Sequence, residues 1–194
     1  MLGIYEKALP KALSWAERLA LTKALGFEFI ELSIDETDER IARLDWTKAQ
    51  RQEIRDAICV SEIPILSMCL SAHRRYPLGS ANVKKQEMAI ELLTKAVDLA
   101  SDLGIRTIQL AGYDVYYEPK TIASRNTFVE NLAKCVAIAA NKGVVLAIEI
   151  MDDPFINSIS KFLAIKSQIP SPYLQVYPDL GNLSAWPEHD VGHE

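Results

Sequence analysis

Hydrophobic positions along the chain fall into two alternating textures. Short runs of aliphatic and β-branched residues occupy residues 2–5, 27–34, 63–70, 106–111, 144–151 and 174–177. Each is short enough for a strand and apolar along most of its length. Between them, apolar residues recur at i, i+3 and i+4, the spacing of amphipathic helices. Ser14 with Glu17 three residues later forms a capping-box pattern for a helix that Gly26 ends. Thr47 opens the next helix, and Asn82 opens a long one that stops at Gly104. A further helix covers about Thr121 to Asn141 before Gly143, and a shorter one follows Asn157.

This is a β-α unit repeated about five and a half times. Strands apolar on both faces belong in a parallel sheet with helices packed outside it. An open doubly wound sheet and a (β/α)₈ barrel both satisfy that order. No glycine-rich phosphate loop follows the first strand. Polar, reactive residues instead stand at the carboxyl ends of successive strands, where barrels place their chemistry. They are Tyr5 and Glu6, then Glu31, then Ser71 and His73, then Tyr113 and Asp114, then Glu149, then Asp179. The expectation is an α/β fold of the (β/α)₈ TIM-barrel type, a single domain over residues 1–194. A full barrel takes about 250 residues, so about six of eight βα units are expected. Such an open barrel should bare two strand edges and an apolar interior.

Composition narrows the function. The 194 residues carry 21 basic and 26 acidic side chains, a net charge of −5, which disfavours non-specific nucleic-acid binding. No apolar run approaches the ~20 residues of a membrane span, and Glu6, Lys7 and Lys11 interrupt any secretory pattern. Three scattered cysteines, Cys59, Cys69 and Cys135, read as reduced fillers of a cytoplasmic protein. Neither nucleic acid nor membrane is expected as a partner.

Glu149 lies inside the run Leu146–Ala147–Ile148–Glu149–Ile150–Met151. A carboxylate there is costly unless paired; it serves as a metal ligand or general base, or as a strand-end acid bonded to a nearby cation. Asp179, in Tyr177–Pro178–Asp179–Leu180–Gly181, fits an oxygen ligand for a divalent cation and equally a turn in which Asp bonds its own backbone. Adjacent strands would bring the two to one rim. His73, beside Arg74 and Arg75, suits a hydroxylated or phosphorylated ligand, or a solvated loop. Tyr5 and Glu6 join His73 as substrate-binding candidates. The aromatic segment 112–117 walls a pocket or covers a rim, and Trp186 is similarly ambiguous. His189 and His193 share an i, i+4 spacing but lack helical context and a third ligand.

Several blocks together resemble one family. Residues 3–9 (Gly-Ile-Tyr-Glu-Lys-Ala-Leu), 35–40 (Asp-Glu-Thr-Asp-Glu-Arg), 67–75, 104–117, 149–152, 157–161 and 179–186 are similar to the bacterial L-ribulose-5-phosphate 3-epimerases. These are also called L-xylulose-5-phosphate 3-epimerases and belong to the xylose-isomerase-like barrels. The resemblance implies reversible inversion at C3 of L-xylulose 5-phosphate in L-ascorbate or related L-sugar catabolism. It implies a divalent metal (Zn, Mn or Mg) held by Glu, Asp, His and Glu from successive strand ends, with a sugar phosphate as the small-molecule partner. The first two ligands match Glu149 and Asp179, and Glu149 also matches one of two acid/base carboxylates. The other two belong to strands seven and eight; His189, His193 and Glu194 do not match them. The sequence therefore leads us to expect a C-terminally shortened epimerase with little or no activity by itself. The alternatives are a non-catalytic barrel fragment that pairs with itself as a homo-oligomer or with a complementing chain, and another sugar-phosphate isomerase or aldolase.

Overall fold

The computed structural model describes residues 1–192. Six parallel strands form one sheet in sequence order: β1 (Gly3–Tyr5), β2 (Phe29–Ile34), β3 (Ile65–Leu70), β4 (Thr107–Ala111), β5 (Val145–Glu149) and β6 (Leu174–Tyr177). The helices are α1 (Trp15–Ala24), α2 (Asp38–Ile41), α3 (Lys48–Ser61), α4 (Val83–Leu103), α5 (Ile122–Ala140), α6 (Ile159–Lys166) and α7 (Leu180–Ser184). The caps act as the sequence predicts. The Ser14 hydroxyl accepts from the Glu17 amide while the Glu17 carboxylate accepts from the Ser14 amide. Thr47, Asn82 and Thr121 cap α3, α4 and α5 with their side chains. Gly104 ends α4 at φ 78°, a left-handed conformation that costs glycine nothing. Short helical turns that the periodicity does not mark occur at Glu6–Ala8, α2 with Ala42–Asp45, Ser71–Arg74 and α7.

Strand register divides the sheet into two unlike faces. Leu32, Met68, Ile108, Leu146 and Leu174 stand side by side across five strands, and Leu110, Ile148 and Val176 form a second row. Nearly all of these are fully buried against the helices. At roughly 1.5–3 kcal/mol for each buried aliphatic side chain, this outer face supplies the cohesion of the fold. The alternate positions face inward: Tyr5, Glu31, Ser67 and Thr107 in one row, then Ser33, Cys69, Gln109, Ala147 and Gln175, then Ala111, Glu149 and Tyr177. The inner face is mostly polar or small, contrary to the apolar interior expected of an open barrel. Each of β1 and β6 has a single strand neighbour among the described residues.

Glu6 departs from its expected role. It is 0% exposed and accepts from three guanidinium groups: Arg18 at 3.2 Å, Arg40 at 2.6 Å and Arg43 at 2.8 Å. The Ser33 amide donates to its second oxygen at 2.9 Å. Arg43 also lies over the rings of Trp15 and Trp46, 5.8 and 5.5 Å from their centroids. A carboxylate so enclosed is not free for substrate; it ties the turn after β1 to α1, α2 and the end of β2. Removing it leaves three mutually repelling cations with little water. Glu6→Gln is therefore expected to destabilise the fold by about 3–5 kcal/mol, measured as a fall in urea midpoint with unchanged m; a shift below about 1 kcal/mol would refute the anchoring role.

Candidate active site

The carboxyl ends of the strands open into a cleft of about 400 Å³, lined by Tyr5, Glu31, Cys69, Gln109, Glu149 and Tyr177 from the sheet and by Lys7, Arg74 and Asp179 from the loops. A larger groove, about 650 Å³, lies on the outside between α1 and α3; four alanines, Trp15 and Val60 line it beside Lys23, Glu53 and Asp56.

Glu149 ends β5 and Asp179 follows β6, so neighbouring strands deliver both carboxylates to this cleft. The Gln109 amide donates to Oε2 of Glu149 and leaves Oε1 without a partner. A carboxylate accepts only, so the amide nitrogen must face it. Burial, and next the charge of Asp179, push the Glu149 pKa from 4.5 up to about 7, with Arg74 and Gln109 opposing. Asp179 makes the turn its sequence allows: Oδ1 caps α7 by accepting from the Asn182 amide at 2.9 Å, while Oδ2 takes no hydrogen bond among the described residues. Tyr5 also lies at the cleft, its hydroxyl 2.9 Å from Ser33 Oγ, with burial raising its pKa.

His73 does not wall this cleft. It sits in the turn after β3, where its Nε2–H donates to the Ala89 carbonyl of α4 at 3.0 Å and burial lowers its pKa to about 4. A neutral ring with its donor spent inside the protein is a packing group. The neighbouring Arg74 takes the place expected of it. Its guanidinium lies 5.1 Å from the Tyr116 ring and 5.9 Å from Tyr113, its buried Nε has no partner, and it forms no ion pair among the described residues. Tyr113, Tyr116 and Tyr117 pack edge to face beside it, and Tyr117 donates to Glu36 at 3.0 Å. Asp114 is buried beneath this loop and accepts from Ser124 at 2.6 Å. His189 sits beside Trp186, ring centroids 6.1 Å apart and near-parallel, with Nδ1 3.3 Å from the Leu183 carbonyl. His193 and Glu194 lie outside the described residues.

The pair Glu149 and Asp179 has the chemistry for a hard divalent cation: two carboxylates, each with an oxygen free, whose mutual repulsion a cation would relieve. Among the described residues no group of three or more His, Cys, Asp or Glu could hold a metal ion. Two carboxylates are what the described residues bring together there.

The xylose isomerase-like TIM barrel family model matches residues 19–194. The chain is 57% identical over 185 residues to the putative L-ribulose-5-phosphate 3-epimerase SgbU of Escherichia coli strain K12, covering 95% of this chain and 65% of that protein. It is 51% identical over 193 residues to the L-ribulose-5-phosphate 3-epimerase UlaE of Escherichia coli O157:H7, covering 100% and 68%. The chain therefore spans about two thirds of the length of these curated relatives. A solved L-ribulose 3-epimerase superposes with TM-score 0.77 at 25% identity, covering 99% of this chain and 64% of that one. A xylose isomerase-like barrel from Mycobacterium smegmatis in complex with magnesium superposes with TM-score 0.70 at 17% identity, covering 94% and 65%.

The electrostatics of the carboxylate pair are directly testable. In ¹³C NMR of the metal-free chain, the Glu149 side chain should titrate near pH 7. Asp179→Asn removes a negative neighbour and should move that midpoint down, though still above 4.5 because burial persists. A midpoint that does not fall in the variant would show that the two carboxylates do not share a site.

Proposed function

The chain belongs to the xylose isomerase-like TIM barrels, and on that premise we propose that it contributes the proton-abstracting half of a sugar-phosphate 3-epimerase, interconverting L-xylulose 5-phosphate and L-ribulose 5-phosphate. The observation that carries this reading is the convergence of Glu149 and Asp179 in one polar cleft at the strand ends. The names of the relatives, both L-ribulose-5-phosphate 3-epimerases, favour it over other sugar-phosphate isomerisations.

The C3 proton lies beside the C2 ketone and is acidic enough to remove if the resulting enediolate is stabilised. Glu149 takes it: its pKa of about 7 makes it a stronger base than an ordinary carboxylate while leaving a substantial ionised fraction at neutral pH. Gln109 holds one oxygen of Glu149 and so orients the carboxylate in the cleft. Glu149 and Asp179 would hold a divalent cation, whose contribution when bound is Lewis-acid polarisation of the ketone. Arg74, without an ion-pair partner among the described residues, brings positive charge to the cleft wall, suited to an anionic substrate. The place of such an enzyme is L-ascorbate or related L-sugar catabolism in the cytoplasm. The single-neighboured strands β1 and β6 favour a second reading, in which another chain, or another copy of this one, pairs with those edges. A mass that rises with concentration in sedimentation would support it.

A proton NMR time course in D₂O with L-ribulose 5-phosphate and Zn²⁺ or Mg²⁺ tests the proposal. The expected result is exchange of the C3 proton for deuterium, and about a 10²- to 10⁴-fold slower exchange with Glu149→Gln. Retention of the C3 proton by the unaltered chain would overturn it.

A further inference from the structure

Glu31 is a cleft carboxylate to which the reaction above gives no task. It lies on β2 in the inward row with Tyr5 and Ser67, on the wall across β3 and β4 from Glu149. Two hydroxyls hold it, Ser67 Oγ at 2.7 Å and Tyr177 OH at 3.5 Å, and both donate to the same oxygen, Oε2. Oε1 accepts no hydrogen bond, and no lysine or arginine pairs with Glu31 among the described residues. Burial raises its pKa against the pull of those two hydroxyls. Bridging β2 to β6 through Tyr177 would account for Oε2 alone. It leaves Oε1 open to the cleft, where it can meet a ligand.

A fixed, acceptor-only oxygen in this place suits one ligand chemistry. It would repel the phosphate of a sugar phosphate, which belongs with the Arg74 cation, and it would bond strongly to a hydroxyl. We infer that Glu31 is a specificity-determining residue, whose Oε1 accepts a hydrogen bond from a hydroxyl on the carbon chain of the bound sugar, with Ser67 and Tyr177 holding it in position. The inference rests on the sugar-phosphate reading and extends it to how a polyol is told from a bare phosphate.

Calorimetric titration of the chain with a pentitol 5-phosphate, which carries the hydroxyls but cannot react, and with inorganic phosphate tests it. Wild type should prefer the pentitol phosphate. Glu31→Gln should weaken that ligand about ten-fold or more and leave inorganic phosphate unchanged. Tyr177→Phe should give a smaller loss in the same direction. Equal weakening of both probes, or of neither, would overturn the inference while leaving the function standing. If Glu31→Gln does not fold, Ser67→Ala and Tyr177→Phe decide: a selective loss supports the role, and unchanged selectivity refutes it. Failure of wild type to prefer the pentitol phosphate would overturn the sugar-phosphate reading and this inference together.

Discussion

The division of the parallel sheet into an aliphatic outer face and a polar inner face governs everything at the cleft. Because the outer rows are sealed under helices, the fold does not need the inner face for cohesion. Inner positions are therefore free to carry Tyr5, Glu31, Gln109, Glu149 and Tyr177. The same arrangement sets their electrostatics. Placed in a narrow cleft backed by a dry sheet, these groups lose part of their hydration, and burial comes first among the causes that shift Glu149, Glu31 and Tyr177 upward. A carboxylate on a solvated loop would keep an ordinary pKa and be a weaker base. Chemistry and stability are thus assigned to opposite faces of the same strands.

The turn after β1 has to be fixed before the cleft has a definite edge, and Glu6 fixes it. Its partners come from α1, from α2 and from the turn that follows α2, so one buried carboxylate gathers three pieces of chain. Lys7, the next residue, reaches the cleft edge and pairs with Asp35 at 2.6 Å beside it. That ion pair holds the Asp35 carboxyl down at about 2, with its hydrogen bonds outweighing the cost of burial. Neighbours in sequence thus point opposite ways, Glu6 into the protein and Lys7 to the cleft edge.

Strands, helices and caps were readable from the chain because their causes are local: aliphatic runs, 3.6-residue spacing, and capping side chains three residues from their targets. The positions of Glu149 and Asp179 were readable for a related reason, since a strand end in a barrel always faces the mouth. Glu6 was misread because its arginines lie 12, 34 and 37 residues away, and no periodicity reports such a cluster. His73 was misread because the chain makes a 3-10 turn after Leu70 that sends the imidazole toward α4 and Arg74 to the cleft. Gln109 and Tyr177 lie within strands, where alternation decides which face a side chain joins. Only the register identifies them as companions of Glu149.

Asp179 shows why structural and functional readings of one residue need not compete. The sequence Pro178–Asp179–Leu180–Gly181 is good turn chemistry, and the structure uses it so: Oδ1 closes the first turn of α7. A side chain held by that bond can no longer rotate freely, so its second oxygen is presented in a fixed direction at no added entropic cost. Asn182, whose amide supplies the bond, also donates its Nδ2–H to the Ile150 carbonyl at 2.9 Å, tying the same turn to the chain just past Glu149. The cap therefore sets the spacing between the two carboxylates as well as ending a strand. Weakening the cap would loosen the carboxylate pair before it disturbed the fold, because α7 is only five residues long and contributes a single fully buried side chain, Leu183.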